Sequence, residues 1–286
     1  MFIIIGYIVI CGAVFGGYAM AGGHLGGLWQ PLELVMIFGG ALGAFVVGND
    51  VKALKATGKA MPALFKGSKY TKALYLDLLA LLFEILTKIR KEGMMSIEND
   101  IENPEASPLF SKYPKIVSDH HITEFITDYL RLMVSGNMDA FQVENLMDNE
   151  IETHHMEGHV PAHCIAKLGD GLPAFGIVAA VMGVVHTMES LDLPPTELGI
   201  LIGHALVGTF LGILLAYGFV GPLSGLLEQK LEEGTKMFQT VKVTLLASLN
   251  GYAPAIAVEF GRKVLYSTER PGFAELEEHV KQAKSK

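Results

Sequence analysis

Two long stretches of this sequence, residues 1–50 and residues 171–221, contain no lysine and no arginine. All 22 basic residues of the 286-residue chain lie between these stretches or after the second one. Both stretches are strongly apolar, and half of all residues in the chain are hydrophobic. This pattern is typical of a membrane protein with a substantial soluble part, and it excludes a soluble enzyme.

The sequence also has little cysteine. Cys11 lies in an apolar segment and Cys164 in a polar one, so neither a disulfide framework nor a cysteine-based metal site is predicted. Glutamates and histidines cluster at residues 150–159, and we interpret this cluster as a solvated charged face rather than a metal site. The net charge of −8 argues against a nucleic-acid partner. No nucleophile or cofactor motif is recognisable, so no enzyme and no cofactor are predicted.

The apolar stretches contain four candidate membrane spans, and none of their interiors carries Asp, Glu, Lys or Arg. About 20 apolar residues in a helix cross the ~30 Å hydrocarbon core of a bilayer. We therefore predict an all-α, polytopic membrane protein with two transmembrane hairpins and a helical cytoplasmic domain. The first hairpin covers residues 1–50, with spans at about 2–20 and 33–48, and the second covers residues 171–222, with spans at about 172–188 and 198–222.

The positions of the basic residues predict the orientation. By the positive-inside rule, residues 51–170 and 223–286 lie in the cytoplasm, together with both termini. Apolar residues at helical spacing predict cytoplasmic helices at about 70–91, 119–133 and 138–157. The tail is predicted to extend the fourth span and to end in a charged helix.

Small residues form one face of each span in the second hairpin. At helical spacing, span four presents Ala205, Gly208, Thr209, Gly212 and Ala216, and span three presents Gly176, Ala180, Gly183 and Thr187. Small faces let helices approach closely in lipid. Such faces serve either ordinary helix packing or a helix from another chain. Thr209 is the only hydroxyl on the face of span four.

Several polar and proline positions are further candidates. Pro173 and Pro222 lie at similar depth, either as tolerated helix-end prolines or as a hinge layer. His186 and His204 are titratable groups near the outer ends of their spans, where they are either wet or part of a proton path. Arg90 and Glu98 flank a glycine-containing turn. Such charges are either solvated or dock a partner electrostatically.

One absence in the spans bears on ion conduction. A proton-conducting assembly needs a titratable group near the membrane midplane, and this chain offers no carboxylate there. A second protein would therefore have to supply the group, on a helix that lies against the small faces. Thr209 would then hydrogen-bond that carboxylate or a water molecule beside it.

Five segments closely resemble the MotA/PomA family of flagellar motor stator proteins, in its proton-type form. They are PAFGIVAAVMGVV (173–185), VGTFLGILLAYGF (207–219), SKYTKALYLDLLALL (68–82), DIENP (100–104) and LNGYAPAIAVEFGRK (249–263). The resemblance extends over nearly the whole chain. It implies a multi-pass protein of the bacterial inner membrane, in which several such subunits form a homo-oligomer around two copies of a MotB-type partner. That partner supplies an ion-binding aspartate and binds peptidoglycan, and ion flow turns a rotor contacted through FliG.

The resemblance also implies roles for individual residues. It assigns rotor contact to Arg90, Glu98 and Glu150, coupling of ion flow to movement to Pro173 and Pro222, the pore side to Ala180, and a position facing the partner's aspartate to Thr209. The remaining small residues, Gly176, Gly183, Ala205, Gly208 and Gly212, are expected to pack against the partner's helix.

The coupling ion is predicted from the available oxygen ligands. Sodium-type relatives place threonines where this chain has Ala180 and Gly208, and a hard cation needs several oxygens to replace its water. Since only Thr209 remains, protons are favoured over a PomA-type sodium stator. A proton channel of the ExbB/TolQ kind, which energises outer-membrane processes, is an alternative, although those relatives have three spans. A secondary transporter would show broken midplane helices or intramembrane charges, and neither is evident.

Overall fold

The computed structural model describes residues 2–284, and within that range all regular secondary structure is helical. The first eight helices are α1 (Phe2–Cys11), α2 (Gly17–Met20), α3 (Pro31–Val47), α4 (Val51–Phe65), α5 (Lys72–Glu92), α6 (Glu98–Glu102), α7 (Pro114–Val117) and α8 (His120–Ser135). The others are α9 (Ala140–Met188), α10 (Pro195–Ile213), α11 (Gly221–Leu249), α12 (Pro254–Val264) and α13 (Phe273–Lys284). The predicted all-α class is therefore confirmed.

Two short π-helical turns interrupt the apolar helices. Gly12–Gly16 joins α1 to α2, and Leu214–Val220 joins α10 to α11. With these turns included, four helical stretches of the described chain are long and apolar enough to cross a membrane: Phe2–Met20, Leu25–Val47, Ala140–Met188 and Pro195–Leu249. These four stretches correspond to the four predicted spans, with the second ending at Val47 rather than at residue 48.

Local sequence signals fix several helix ends. Asp50 caps α4 by accepting a hydrogen bond from the amide of Ala53 at 2.7 Å, and Thr71 caps α5 in the same way through Leu74. Pro31 occupies the first turn of α3, where its missing N–H costs nothing. Gly93 ends α5 with φ of +87°, a conformation that favours glycine.

The chain divides into two compact units. The membrane unit comprises residues 1–67 and 158–229, and the polar unit comprises residues 68–157 and 230–286. In the membrane unit, Ile37, Leu172 and Leu211 belong to one buried cluster. The helix α1 has no buried side chain, as expected for a helix that faces lipid.

The polar unit has a continuous hydrophobic core. Its largest fully buried side chains include Tyr75 of α5, Phe125 and Tyr129 of α8, and Phe110. Side chains from α11, α12 and α13 complete this core, with Val241, Ala257 and Leu276 as examples. Helix α6 has only five residues, too few to be stable alone, so its position depends on contacts with neighbouring elements.

The longest helix departs from the sequence prediction. A separate helix was expected to end near residue 157, yet α9 runs without a break from Ala140 to Met188, through Pro161. The segment packs Ala162 and Ile165 against Leu64 and Leu227, and this packing outweighs the low helix propensity of its glycine and proline. Residues 51–67 and 158–170 accordingly group with the apolar helices.

Candidate functional site

The small faces of α9 and α10 pack directly on each other. A β-carbon added to Gly176 would lie 2.7 Å from the carbonyl oxygen of Gly208 and 3.1 Å from the α-carbon of Gly212. One added to Gly183 would lie 2.8 Å from the β-carbon of Ala205. Since real β-carbons do not approach other atoms this closely, the two helices meet backbone to backbone.

Because of this contact, the five residues that were predicted to pack against a partner's helix have neighbours within the chain itself. Gly176, Gly183, Ala205, Gly208 and Gly212 face one another within the chain, so the chain's own helices occupy the space above them. Of the two uses that the sequence left open for these faces, the structure shows ordinary helix packing. A helix from another chain would therefore need a different surface of α9 and α10.

Such a surface lies beside the packed glycines. On α10, Ile202, Leu206 and Ile213 are exposed at helical spacing, and half-buried Thr209 lies between them. Its hydroxyl makes no hydrogen bond with any described residue. On α9, Ala180 is half-buried, next to exposed Val181. We refer to Ile202, Leu206, Thr209 and Ile213 as the bare stripe.

Both prolines lie at the contact between α9 and the α10–α11 run. The α-carbon of Pro173 is only 3.2 Å from where a β-carbon of Gly212 would lie. Gly221 and then Pro222 follow the π-helical turn Leu214–Val220, and Gly221 approaches Gly169 of α9. Ser224 then donates a hydrogen bond to the carbonyl oxygen of Ala162 at 2.9 Å. Pro173 and the residues next to Pro222 thus both lie where α9 packs on the α10–α11 run of the membrane unit.

Tyr7 belongs to the same region and was missed by the sequence analysis. Its hydroxyl donates a hydrogen bond of 2.8 Å to the carbonyl oxygen of Phe219, and the two rings lie 4.8 Å apart. A polar aromatic residue inside an apolar span was the available signal. It was not used, because a tyrosine near a span end is usually an interface anchor.

Glu33 is a second residue that the sequence analysis did not single out. It lies in the first turn of α3 and is only 7% exposed. One carboxylate oxygen, Oε2, is buried with no hydrogen-bond partner among the described residues. The predicted span began at this residue, so its carboxylate was taken to lie outside the apolar interior.

The two histidines of the second hairpin differ in exposure. His186 is largely exposed, and its Nδ1 lies 4.0 Å from a carboxylate oxygen of Glu189. His204 is half-buried in α10. His186 is therefore exposed near the end of α9, and the described chain does not enclose it among other side chains.

In the polar unit, Arg90 and Glu98 flank the turn that contains Gly93. Both side chains are exposed, and neither forms an ion pair within the described chain. Between them the amide of Gly93 donates to the carbonyl of Ile89 at 2.9 Å, and the Ser96 hydroxyl donates to the carbonyl of Gly93 at 2.6 Å. Ile97 is buried and anchors the turn. The geometry presents two charges of opposite sign to solvent.

Two polar clusters hold α6, which carries Glu98. The buried carboxylate of Asp100 accepts from Lys88 of α5 at 2.7 Å and from the Ser107 hydroxyl at 2.5 Å. Arg131 of α8 donates to Glu102 at 2.8 Å and to the carbonyl of Ile101 at 2.9 Å. These bonds place the short helix against both α5 and α8.

Glu150 is not a free surface acid. Its Oε2 accepts a hydrogen bond of 2.7 Å from the hydroxyl of Tyr129, and burial together with this bond raises the pKa of Tyr129. His154, one helical turn further on, packs instead on the rings of His121 and Phe238. The structure therefore does not bring Glu150 and His154 together as a pair of metal ligands.

The comparisons with known proteins identify the family. The chain is 62% identical over 281 residues to motility protein A from Salmonella typhimurium, covering 98% of this chain and 95% of that protein. The chain belongs to the motility protein A family. Residues 4–93 match the model of the motility protein A N-terminal region, and residues 117–240 match the MotA/TolQ/ExbB proton channel family.

Solved structures agree with the fold of a motility protein A. A structure of C. jejuni MotAB superposes with a TM-score of 0.76 at 19% identity, covering 93% of this chain and 95% of that one. The flagellar MotAB stator complex from Bacillus subtilis gives a TM-score of 0.71 at 24% identity, covering 90% and 92%. The match of residues 4–93 is to a model described for motility protein A alone, whereas the description of the second model also covers TolQ and ExbB.

Proposed function

We propose that this chain is a stator subunit of the bacterial flagellar motor. With a MotB-type partner it forms a proton-conducting complex that converts ion flow into rotation of the rotor. The observation that carries the proposal is the 62% identity to motility protein A across 98% of the chain. The protein acts as a channel and motor subunit of the inner membrane, without a catalytic centre of its own.

The bare stripe is the proposed surface for the partner's membrane helix. Its exposed apolar side chains would be covered by such a helix, and the unpartnered Thr209 hydroxyl would meet the aspartate that the helix carries. A carboxylate in the membrane needs a hydrogen-bonding neighbour. The chain supplies this neighbour and leaves the titratable group to its partner.

Protons are the proposed coupling ion. Gly208 has no side-chain oxygen, and a side chain added there would be tightly placed, with its β-carbon 3.1 Å from the β-carbon of Ala179. Ala180 offers no side-chain oxygen, so Thr209 alone could ligate sodium. A proton needs only the carboxylate and a chain of water. Each charge that crosses releases ~2.3 kcal/mol per 100 mV.

The polar unit is the proposed rotor-contacting part. Arg90 and Glu98 are exposed and unpaired on a turn held in place by α6, an arrangement suited to electrostatic docking on FliG. Glu150 contributes less directly, since its carboxylate accepts a hydrogen bond from Tyr129.

Several such subunits would surround a partner dimer, with both termini in the cytoplasm. Pro173 and Pro222 would couple ion passage to movement of the cytoplasmic helices.

Swimming speed of cells that lack their own stator genes tests this function. Cells that express the chain with its MotB-type partner should swim, should stop on addition of a protonophore, and should keep their speed when sodium is removed. Loss of swimming on sodium removal with indifference to the protonophore would instead establish a sodium-driven stator. Failure to restore swimming, with the complex present in the membrane, would contradict the stator function itself.

A further inference from the structure

The turn Leu214–Val220 is wider than an α-helix. Its π-helical form bonds each amide to a carbonyl five residues back, and accordingly the amide of Gly221 donates to the carbonyl of Ala216. A β-carbon at Gly221 would lie 2.9 Å from that oxygen, so glycine is the residue that fits here. Pro222 follows and has no amide hydrogen to give. The usual hydrogen-bond ladder is therefore disturbed over several adjacent residues.

Such a disturbance in an apolar span needs compensation. Backbone groups at membrane depth must find partners within the protein, since lipid offers none. The hydroxyl of Tyr7 provides one, donating to the carbonyl oxygen of Phe219 at 2.8 Å inside the widened turn. Ile10, one turn further along α1, packs near Gly218, with 3.3 Å between its methyl group and the site of a Gly218 β-carbon.

We refer to the hydrogen bond from the Tyr7 hydroxyl to the Phe219 carbonyl as the tether. It stands out because few other contacts hold α1 against the rest of the chain. None of the side chains of Phe2–Cys11 is buried, and the hydroxyl of Tyr7 is the only side-chain hydrogen-bonding group of α1 that contacts another helix within the described residues. The partner of that bond lies three residues before Pro222 in the chain. Helix α1 thus contacts the α10–α11 junction at the place where the backbone is least regular.

We propose that Tyr7 is a positioning residue of the motor. Its hydroxyl, bonded to the carbonyl of Phe219, holds the widened turn before Pro222 and so fixes the geometry of the α10–α11 junction. This inference rests on the proposed function, in which Pro222 couples ion passage to movement. Without the hydroxyl, the population of the widened turn changes by about two- to ten-fold, as expected for one hydrogen bond.

The variant Tyr7→Phe tests the tether with little change in shape. Labelling with carbonyl-¹³C phenylalanine and ¹⁵N valine selects two peptide groups in this sequence, Phe45–Val46 and Phe219–Val220. In the full complex with its partner in bilayers, Tyr7→Phe should move the carbonyl signal of Phe219 upfield. The signal of Phe45 should stay, because its carbonyl accepts from Asn49 at 2.7 Å. An unmoved Phe219 signal would overturn the proposal.

The functional readout is the rotation speed gained each time one stator unit joins a motor, which does not depend on how much complex is made. Tyr7→Phe should lower this increment by about two-fold or more. The matched control is Tyr18→Phe on the same span, whose hydroxyl makes no hydrogen bond within the described chain. A full increment with Tyr7→Phe would overturn the positioning role even if the Phe219 signal moves. If the unaltered chain fails to drive rotation, the proposed function fails, while the carbonyl signal still decides the tether.

Discussion

At the scale of single residues, His154 shows how the fold controls a charge. Its ring packs 4.5 Å from that of Phe238 and 5.8 Å from that of His121. Burial, and then the neighbouring His121, lower the pKa of His154 below its ordinary value of about 6.5. The neutral ring is therefore favoured in the folded state. Its contribution to stability is present above pH ~6.5 and is lost as the pH falls.

Replacing this histidine by a ring that cannot be protonated should weaken the loss of thermal stability at acid pH. His154→Phe keeps a ring beside Phe238 and cannot take up a proton, so its apparent Tm should fall less between pH 7.5 and 5 than that of the unaltered chain. A difference of about 2–4 °C would correspond to roughly 1 kcal/mol for a domain of this size. The measurement is thermal unfolding of the purified protein in detergent, with exposed His120→Phe as control. If the apparent Tm falls with pH by the same amount in His154→Phe and in the unaltered chain, the prediction is contradicted.

Residue roles were only partly predictable from the sequence. Charge and the Gly93 break indicated that Arg90 and Glu98 flank an exposed turn, because charged side chains next to a glycine are seldom buried. Tyr129 and Glu150 are 21 positions apart, and their hydrogen bond depends on how α8 packs on α9. The bond from Tyr7 to Phe219 joins residues 212 positions apart, so no local pattern could reveal it.

At the scale of elements, the contact of α9 with α10 depends on the absence of side chains. Gly176, Gly208 and Gly212 bring the two backbones within direct contact, and any added atom has to displace one of them. Outside this contact the same helices contain glycines with free surroundings. Gly199, for example, has nothing within 4 Å of an added β-carbon. These two environments allow a matched comparison.

Gly176→Ala and Gly199→Ala should therefore differ in their effect on stability. Gly176→Ala forces α9 away from α10 and should destabilise the protein by about 1–3 kcal/mol through overpacking. Gly199→Ala should be neutral or stabilise by up to ~1 kcal/mol, since alanine favours a helix more than glycine does. The apparent Tm of each variant in detergent measures the effect. Equal Tm values for the two variants would show that the close contact contributes nothing.

The helices themselves were easier to predict than the helices that pack against them. Apolar periodicity and the lack of charge located all four spans, since crossing a membrane constrains composition strongly. The small faces were also visible in the sequence. Which helix covers them was not, because Gly176 and Gly208 look the same whether they meet another chain or each other. The continuity of α9 through Pro161 likewise follows from packing with Leu64 and Leu227, which the local sequence does not encode.

At the scale of the whole molecule, the distribution of basic residues should determine how the chain is oriented in the membrane. The absence of lysine and arginine from residues 1–50 and 171–221 predicts that the segments joining each pair of spans face outward. Gly26, in the short helical turn Leu25–Leu28, lies in one such segment. Lys91, at the end of α5, belongs to the region expected inside.

Single-cysteine labelling should reveal this orientation. After Cys11 and Cys164 are replaced by alanine, Gly26→Cys should react with a membrane-impermeant maleimide added to spheroplasts, and Lys91→Cys should not. Inverted vesicles should give the opposite result. Gly26 tolerates the change, because a β-carbon there meets nothing within 4 Å. Labelling of Lys91→Cys from outside would reverse the predicted topology.

The unbroken course of α9 has a mechanical consequence. Within the membrane unit, its residues 158–188 are helical throughout, with no loop between them. Pro161 and Pro173 are the only residues of α9 that lack a backbone N–H and so remove helical hydrogen bonds. The helix should therefore twist and bend most easily at these two points. Pro173 also contacts α10, since its α-carbon lies 3.2 Å from where a β-carbon of Gly212 would lie, so a shift of α10 would act on α9 at one of these two points. Within the membrane unit, α9 should therefore bend most easily at a point where α10 contacts it.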